Sequence, residues 1–298
     1  MLRDKMLAVM DEVNSEVAER QELVRMIALA LLSGSNLFIL GAPGQAKSFA
    51  VNEFRKRITG ARQFERLLSK QTDEEVLFGR LDLASLIPGA VPAQVLGEDD
   101  TYQSLKAQLA QAADAFRADP ANTAAAETLQ SLTGKLEQYQ KGLSLLHGGT
   151  PMTITAGKIP DAHICFLDEI FKAGDGLLNS LLMALNEHRY TNEGVTVDIP
   201  VISFFSASNE MPNFRNKEEQ ILAPLYDRFQ LRVVTKDVQE RTARLAVLKN
   251  KQGGHFGEVT ATFSLDELYA MQAQVKLAVI PDAINELMDD VLCELRRE

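Results

Sequence analysis

Apolar positions along the chain change period several times, and each change marks an element. Leu23, Met26, Ile27, Ala30 and Leu31 recur at helical spacing, which predicts a helix, and Gly34 is placed to end it. Asn36 to Leu40 is a short apolar run of strand length. It leads into a Gly/Pro-rich stretch, after which Lys47 to Arg57 is helical and Arg62 to Leu67 predicts a second strand. Ile164 to Ile170 contains a buried strand and two acids. Leu177 to Glu187 is an amphipathic helix, and Val201 to Ser206 is another β-rich run. Arg189 to Ile199, with Asn192-Glu193-Gly194 between alternating residues, predicts a β-hairpin. Strand and helix alternate, which predicts an α/β fold with a parallel sheet and helices on both faces.

Two stretches break this alternation. Tyr102, Leu105, Leu109, Ala112 and Phe116 form one helical series, and Leu129, Leu132, Leu136, Tyr139, Leu143 and Leu146 form another. Asp119-Pro120 separates them, so residues 97–146 predict a helical-hairpin insert. Its stripes either pack arm on arm or serve a partner. From Asp237 onward the pattern is purely helical, in arms at Val238 to Lys249, Leu265 to Gln274 and Pro281 to Arg297, with a break at Gln252-Gly-Gly254. This divides the chain into an α/β core, 1–234, and a helical lid, 235–298. Phe78-Gly79 and Pro88 to Pro92 are either pore-facing loops or connectors.

Composition narrows the class. The 298 residues are 46% hydrophobic and 24% charged, ordinary for a globular chain. Cys165 and Cys293 cannot build a disulfide framework, which fits a reducing, cytoplasmic setting. The N-terminus does not resemble a secretory signal, and no window nears the ~20 apolar residues of a membrane span. A net charge of −10 argues against general attraction to nucleic acid or anionic lipid. The histidines are scattered without metal-ligand spacing.

The chemistry lies at two strand ends. Gly41-Ala42-Pro43-Gly44-Gln45-Ala46-Lys47-Ser48 fits the phosphate-loop pattern G-x-x-x-x-G-K-[ST], except that Ala46 replaces the second glycine. The strand before it and the helix after it would aim backbone N–H groups and a positive helix end at phosphates. Lys47 would neutralise β/γ-phosphate charge, Ser48 would bind Mg²⁺, and Phe49 continues the nucleotide-binding stretch. Ala46 is acceptable if its φ is negative. Asp168 and Glu169 emerge where a parallel-sheet strand presents ligands. Asp168 would orient the Mg²⁺ shell, and Glu169 would polarise the attacking water.

Together with Phe166-Leu-Asp-Glu-Ile-Phe-Lys-Ala173 and Leu182-Met-Ala-Leu-Asn-Glu-His-Arg189, these residues resemble the MoxR branch of AAA+ ATPases, its RavA-like subgroup most closely. The resemblance covers nearly the whole chain outside the insert. It implies a P-loop NTPase (AAA+) core with ATP and Mg²⁺ as ligands, acting in a homo-oligomeric ring, a hexamer. It implies remodelling or maturation of a protein client, with a von Willebrand A-domain protein as companion.

The resemblance also implies roles for particular residues. Asn209, in Ser206-Ala-Ser-Asn-Glu-Met-Pro212, matches sensor 1, which holds the attacking water. Arg228, in Leu225-Tyr-Asp-Arg-Phe229, matches the arginine finger that reaches a neighbour's γ-phosphate; a locally pairing surface arginine is the other reading. Val17 and Ala18, in Val17-Ala-Glu-Arg20, match the adenine-contacting segment, which also reads as a plain helix start. The chain ends at Leu295-Arg-Arg-Glu298, ahead of the family's sensor 2 arginine, so an incomplete lid is expected. A nucleotide-switched binding module with negligible hydrolysis is the alternative function. A DNA-dependent motor is a further one, opposed by the acidic Thr191–Gly194 hairpin tip.

Overall fold

Met6, Val9 and Val13 are buried along one side of a first helix, α1 (Leu2–Glu16), ahead of the elements predicted above. The computed structural model describes residues 2–87, 90–120, 122–147, 152–192, 194–253 and 259–296. Pro88, Glu193, Gly254 and Arg297, which belong to segments singled out in the sequence, lie outside the described residues. After α1 come α2 (Gln21–Ser33), β1 (Leu37–Leu40), α3 (Lys47–Lys56), β2 (Ile58–Thr59), β3 (Gln63–Leu67), α4 (Glu74–Phe78), β4 (Arg80–Leu81) and α5 (Ala93–Glu98). The middle of the chain holds α6 (Asp100–Ala118), α7 (Thr123–His147), β5 (Thr153–Ile154), β6 (Ile164–Asp168), α8 (Asp175–Glu187), β7 (Arg189–Asn192) and β8 (Val195–Asp198). Then follow β9 (Ser203–Ser208), α9 (Ala223–Asp227), β10 (Leu231–Val234), α10 (Arg241–Gly253), β11 (Phe263–Ser264), α11 (Leu265–Val275) and α12 (Asp282–Leu295).

The chain divides into two compact units. One comprises Met1–Thr72, Ala162–His188 and Pro200–Glu298. Its centre is a five-stranded parallel sheet in the order β10-β1-β9-β6-β3. Side chains alternate across it, as the two-residue strand period requires. Leu37 and Ile39 of β1, Ile164 and Phe166 of β6, and Phe205 and Ala207 of β9 join one core with α1, α2, α3 and α11. Phe38, between Leu37 and Ile39, instead meets Phe171, Tyr226 and Phe229 on the opposite face. Gly34 ends α2 in the left-handed conformation at φ 65°, as its position predicts.

The C-terminal stretch is not purely helical. Phe263 and Ser264 form β11, parallel to Ile58 and Thr59 of β2. A strand of two residues has no readable period, and Phe263 is recruited because it fills the core beside Ile58. Ser264 then caps α11, accepting from Glu267 N while Glu267 accepts from Ser264 N. Arg57, fully buried, ties this region to α1: it pairs with Glu53 at 3.0 Å and Glu12 at 2.9 Å. Glu12 also accepts from Thr260 Oγ1 at 2.6 Å and from the backbone N–H of Thr260 and Ala261.

The second unit comprises Asp73–Asp161 and Arg189–Ile199. Its helices α6 and α7 pack arm on arm as a hairpin. Asp99 caps α6 through Tyr102 N and receives the Tyr139 hydroxyl, and Gln140 donates to Tyr102 Oη. Antiparallel β4–β5 and β7–β8 complete the unit, with Phe78 and Tyr190 stacked 4.3 Å apart. No helix among the described residues is long and apolar enough to cross a membrane.

Candidate functional site

The register of the sheet brings three loops to one edge. Leu40 lies opposite Ser208, and Asp168 lies opposite Ala207. Gly41, Asn209 and Glu169 therefore leave the carboxyl ends of neighbouring strands, the edge at which parallel sheets bind ligands. β9 sits between β1 and β6, which places Asn209 between the phosphate loop and the acids.

Lys47 is the first residue of α3, and its side chain is buried. Its ammonium donates to the Gly41 carbonyl, to those of Ala42 at 3.3 Å and Ser208 at 3.4 Å, and to Asn209 Oδ1 at 2.6 Å. The Asn209 amide nitrogen in turn donates to Glu169 Oε1. Lys172 lies 3.4 Å from the other Glu169 oxygen, and Glu169 N donates to Asp168 Oδ1 at 3.0 Å. Lysine, asparagine, glutamate and aspartate are thus one connected chain.

The electrostatics follow from this crowding. Burial pushes the Lys47 ammonium below its ordinary pKa, against the opposing charges of Asp168 and Glu169. Burial pushes the Asp168 carboxyl up. Its bond from Glu169 N and the charge of Lys47 pull it down, while the charge of Glu169 adds to the rise. The two carboxylates, Asp168 and Glu169, thus share two ammonium groups, the buried Lys47 and the exposed Lys172. No group of three or more His, Cys, Asp or Glu capable of holding a metal occurs among the described residues. A dication here would complete its shell with water and substrate oxygens, the coordination habit of Mg²⁺.

The phosphate loop is held from behind. Gln45 accepts from Thr235 Oγ1 at 2.6 Å and donates to Asp237 at 2.9 Å, and its carbonyl accepts from Arg20 Nε at 2.9 Å. A Cβ on Gly41 would land on Thr235 Oγ1 and Gln45 Oε1, so this glycine is required by packing. Ala46 does not have the negative φ expected of an alanine there. It sits at φ 58°, in the left-handed region, as does the glycine that the pattern calls for. The alanine is accommodated with a strain on the order of 1–2 kcal/mol.

A cavity of about 540 Å³ opens over this loop. Pro43, Gly44, Gln45, Ala46, Lys47, Ser48 and Phe49 form one wall, and Asp168 and Asn209 lie at one end. Val17, Ala18 and Arg20 from the α1–α2 turn, with Val238 and Val247 from beyond β10, also line it. Glu169 does not line the cavity and is reached from it through its hydrogen bond from Asn209. Arg228 does not line the cavity. It follows α9, half-buried, and its Nε is buried without a hydrogen bond among the described residues.

Sequence reasoning missed Arg20, Thr235, Asp237, Val238 and Val247. Residues 235–238 have no pattern of their own, because they matter through side-chain contacts to Gln45 and the cavity. Glu19 reinforces the same junction: its carboxylate accepts from the backbone N–H of Gln239 at 2.7 Å and Glu240 at 2.8 Å.

Comparison with known proteins bears on the family and the fold. A family described as the MoxR domain in MoxR–vWA–β-propeller ternary systems matches residues 4–102 and 139–272, passing over most of the α6–α7 hairpin. An uncharacterised protein of Methanocaldococcus jannaschii is 28% identical over 287 residues, covering 96% of this chain and 57% of its own. A second from that organism is 28% identical over 231 residues, 78% of this chain and 44% of its own. A structural protein of the Acidianus two-tailed virus is 22% identical over 240 residues, 80% of this chain and 29% of its own. The chain spans about half the length of the two archaeal relatives. A crystal structure from Cytophaga hutchinsonii, of a protein provisionally designated an ATPase, shares the fold. Its TM-score is 0.61 at 14% identity, over 97% of this chain and 68% of that one.

Proposed function

Because the chain belongs to the MoxR-domain family of AAA+ ATPases, we propose that it binds ATP in the cavity over the phosphate loop and hydrolyses it to ADP and phosphate. The observation that carries the reading is the Lys47–Asn209–Glu169 chain at the sheet edge. It joins a phosphate-neutralising cation, a water-positioning amide and a carboxylate base within direct hydrogen-bond reach.

Each residue has a task that follows from its place. The N–H groups of residues 44–48 and the start of α3 bind the phosphates, and Lys47 exchanges its protein acceptors for phosphate oxygens. Ser48 and Asp168 would hold Mg²⁺, which would supply positive charge against that of the phosphates. Asn209 orients the attacking water, and Glu169 takes its proton. Val17 and Ala18, facing Val238 and Val247, form the apolar end suited to a base. Residues 235–298 act as the lid over the core of 1–234, with Val238 and Val247 as its contribution to the cavity.

Arg228 acts on a neighbour's nucleotide in a homo-oligomeric ring, a hexamer. Its exclusion from its own chain's cavity and the unsatisfied Nε support this. The family description supports a von Willebrand A-domain companion and remodelling or maturation of a protein client. The free cysteines fit a reducing, cytoplasmic setting. The motif residues of 166–173 and 182–189 support a RavA-like reading within that family.

The test is Mg²⁺-dependent phosphate release by the chain, Glu169→Gln and Lys47→Ala, beside binding of a fluorescent ATP analogue. Glu169→Gln should bind and not hydrolyse, and Lys47→Ala should do neither. Parent-rate hydrolysis by either variant would refute the assignment. Nucleotide binding by the parent chain with no turnover would leave a nucleotide-switched binding module.

A further inference from the structure

Tyr226 occupies a position that the site chemistry above does not use. Its ring centroid lies 5.5 Å from Phe38, 5.5 Å from Phe214 and 6.3 Å from Phe171, and Arg232 stacks its guanidinium 3.8 Å over the ring. These distances fall within the ranges for favourable aromatic and cation–π contact. The partners come from separate parts of the site. Phe171 is two residues beyond Glu169, on the same 3₁₀ turn. Phe214 follows Asn209 in the loop leaving β9. Phe38 lies on β1, ahead of the phosphate loop. Tyr226 itself is two residues before Arg228.

The segment around Arg228 is fixed at its backbone. Arg228 O accepts from Asn36 Nδ2 at 3.1 Å, Phe229 O from Arg232 Nε at 3.0 Å, and Tyr226 O from Arg232 Nη2 at 3.2 Å. Asn36 is buried and also receives Phe204 N. The turn therefore moves as a body when its ring contacts move, since close-packed side chains shift together or not at all.

We infer that Tyr226 is a positioning residue that couples the Glu169 and Asn209 segments of one subunit to the arginine that subunit presents to its neighbour. The inference rests on the trans role given to Arg228 above. A change at the γ-phosphate of one site displaces Phe171 or Phe214, and Tyr226 passes the displacement to Arg228. Successive sites in a ring then fire in dependence on one another.

The experiment compares Tyr226→Leu, Tyr226→Phe, Arg232→Gln and Arg228→Ala in the whole chain. It reads ATP-analogue affinity, kcat, the Hill coefficient for ATP and Tm. Tyr226→Leu should lower kcat about tenfold or more, the scale of misplacing an oriented group. Its analogue affinity should stay within about twofold while its Hill coefficient falls to about 1, because the coupling between sites is what it removes. Tyr226→Phe keeps every ring contact and should restore both values. Arg232→Gln leaves all rings in place and should also lower the Hill coefficient, which serves if Tyr226→Leu folds poorly.

Parent kcat and cooperativity in both Tyr226→Leu and Arg232→Gln would overturn the inference while leaving the ATPase reading intact. A parallel loss of analogue affinity and kcat, unrestored by Tyr226→Phe, would also overturn it. Parent-like behaviour of Arg228→Ala would remove the trans finger itself, a separate failure.

Discussion

The side-chain amide of Asn209 donates a hydrogen bond to the carboxylate of Glu169 across the boundary between β9 and β6. The same amide accepts from Lys47 at 2.6 Å, so one side chain bridges the ammonium and the carboxylate. Under the proposed chemistry, Asn209→Ala should lower kcat about 10²–10³-fold, the scale for removing one preorganised donor. Nucleotide affinity should change little, because the backbone cradle and Lys47 remain. Stopped-flow binding beside steady-state phosphate release separates the two. Equal losses in both would mean that Asn209 shapes the loop rather than the reaction.

Ala46 holds a left-handed φ that glycine would adopt without strain. Ala46→Gly removes a strain on the order of 1–2 kcal/mol and adds roughly 0.5–1 kcal/mol of unfolded-state entropy cost. The balance is a gain of up to about 1.5 kcal/mol, visible as a Tm rise of up to about 3–6 °C. Differential scanning calorimetry checks it. A lower Tm would mean that the alanine methyl makes compensating contacts.

Gly41→Ala should destabilise by about 1–3 kcal/mol, because its Cβ meets Thr235 Oγ1 and Gln45 Oε1. Adding Thr235→Ala should restore part of the loss, since the clash would lose one side. Chemical denaturation of the two single variants and the double variant measures the coupling. Strict additivity would put the damage elsewhere in the loop.

Glu12 contributes to the acid dependence of stability. Burial works to raise its pKa, but the Thr260 hydroxyl, the N–H groups of Ala261 and Thr260, and Arg57 together bring it to about 2. The ordinary value for such a carboxyl is 4.5. A folded pKa below the unfolded one stabilises fully above the unfolded value and loses that contribution as pH falls towards 2. Stability of the parent should therefore decline between about pH 4.5 and 2 more steeply than that of Glu12→Gln. Acid titration by circular dichroism shows the difference. Parallel curves would remove Glu12 from the acid response.

The α6–α7 hairpin should be dispensable for nucleotide binding. The family match passes over most of it, and Gln140 bonds to Tyr102 at its base, so the two ends lie close. Replacing residues 103–138 with a short Gly/Ser turn should leave ATP-analogue affinity within about twofold, since surface loop lengths change closure entropy only slowly. A loss of binding would show that the hairpin supports the site.

Where a segment carries a strong local period or a dense motif, its sequence was readable. β1 with its loop, β6 with Asp168 and Glu169, α8 and the helical hairpin all follow from spacing. Helix α1 carries the same kind of period in Met6, Val9 and Val13, spaced by three and four residues. β10 and β11 were not readable. Leu231-Arg-Val-Val234 is an edge strand whose alternation is short, and Phe263-Ser264 acquires strand geometry only by meeting β2. The site shows the same division. Lys47, Ser48, Asp168 and Glu169 come from contiguous motifs, whereas Arg20, Thr235 and Asp237 support the loop through contacts that separate distant positions in the chain. The backbone angle at Ala46 was invisible for a related reason: residue type suggests a preference, and the turn imposes its own.

Lys47 has a consequence for affinity itself. Its ammonium is already ligated by protein oxygens from Gly41, Ala42, Ser208 and Asn209. Phosphate binding, as proposed, would therefore be an exchange reaction, in which each new contact to the cation displaces an internal one. Its free energy would be the difference between two opposing terms. Ligands that offer a single weak anion gain almost nothing from the exchange. Under the proposed function, a polyphosphate would gain several contacts at once and free Asn209 from Lys47. Selectivity for a longer phosphate chain would then be set by the lysine's existing company as much as by its charge.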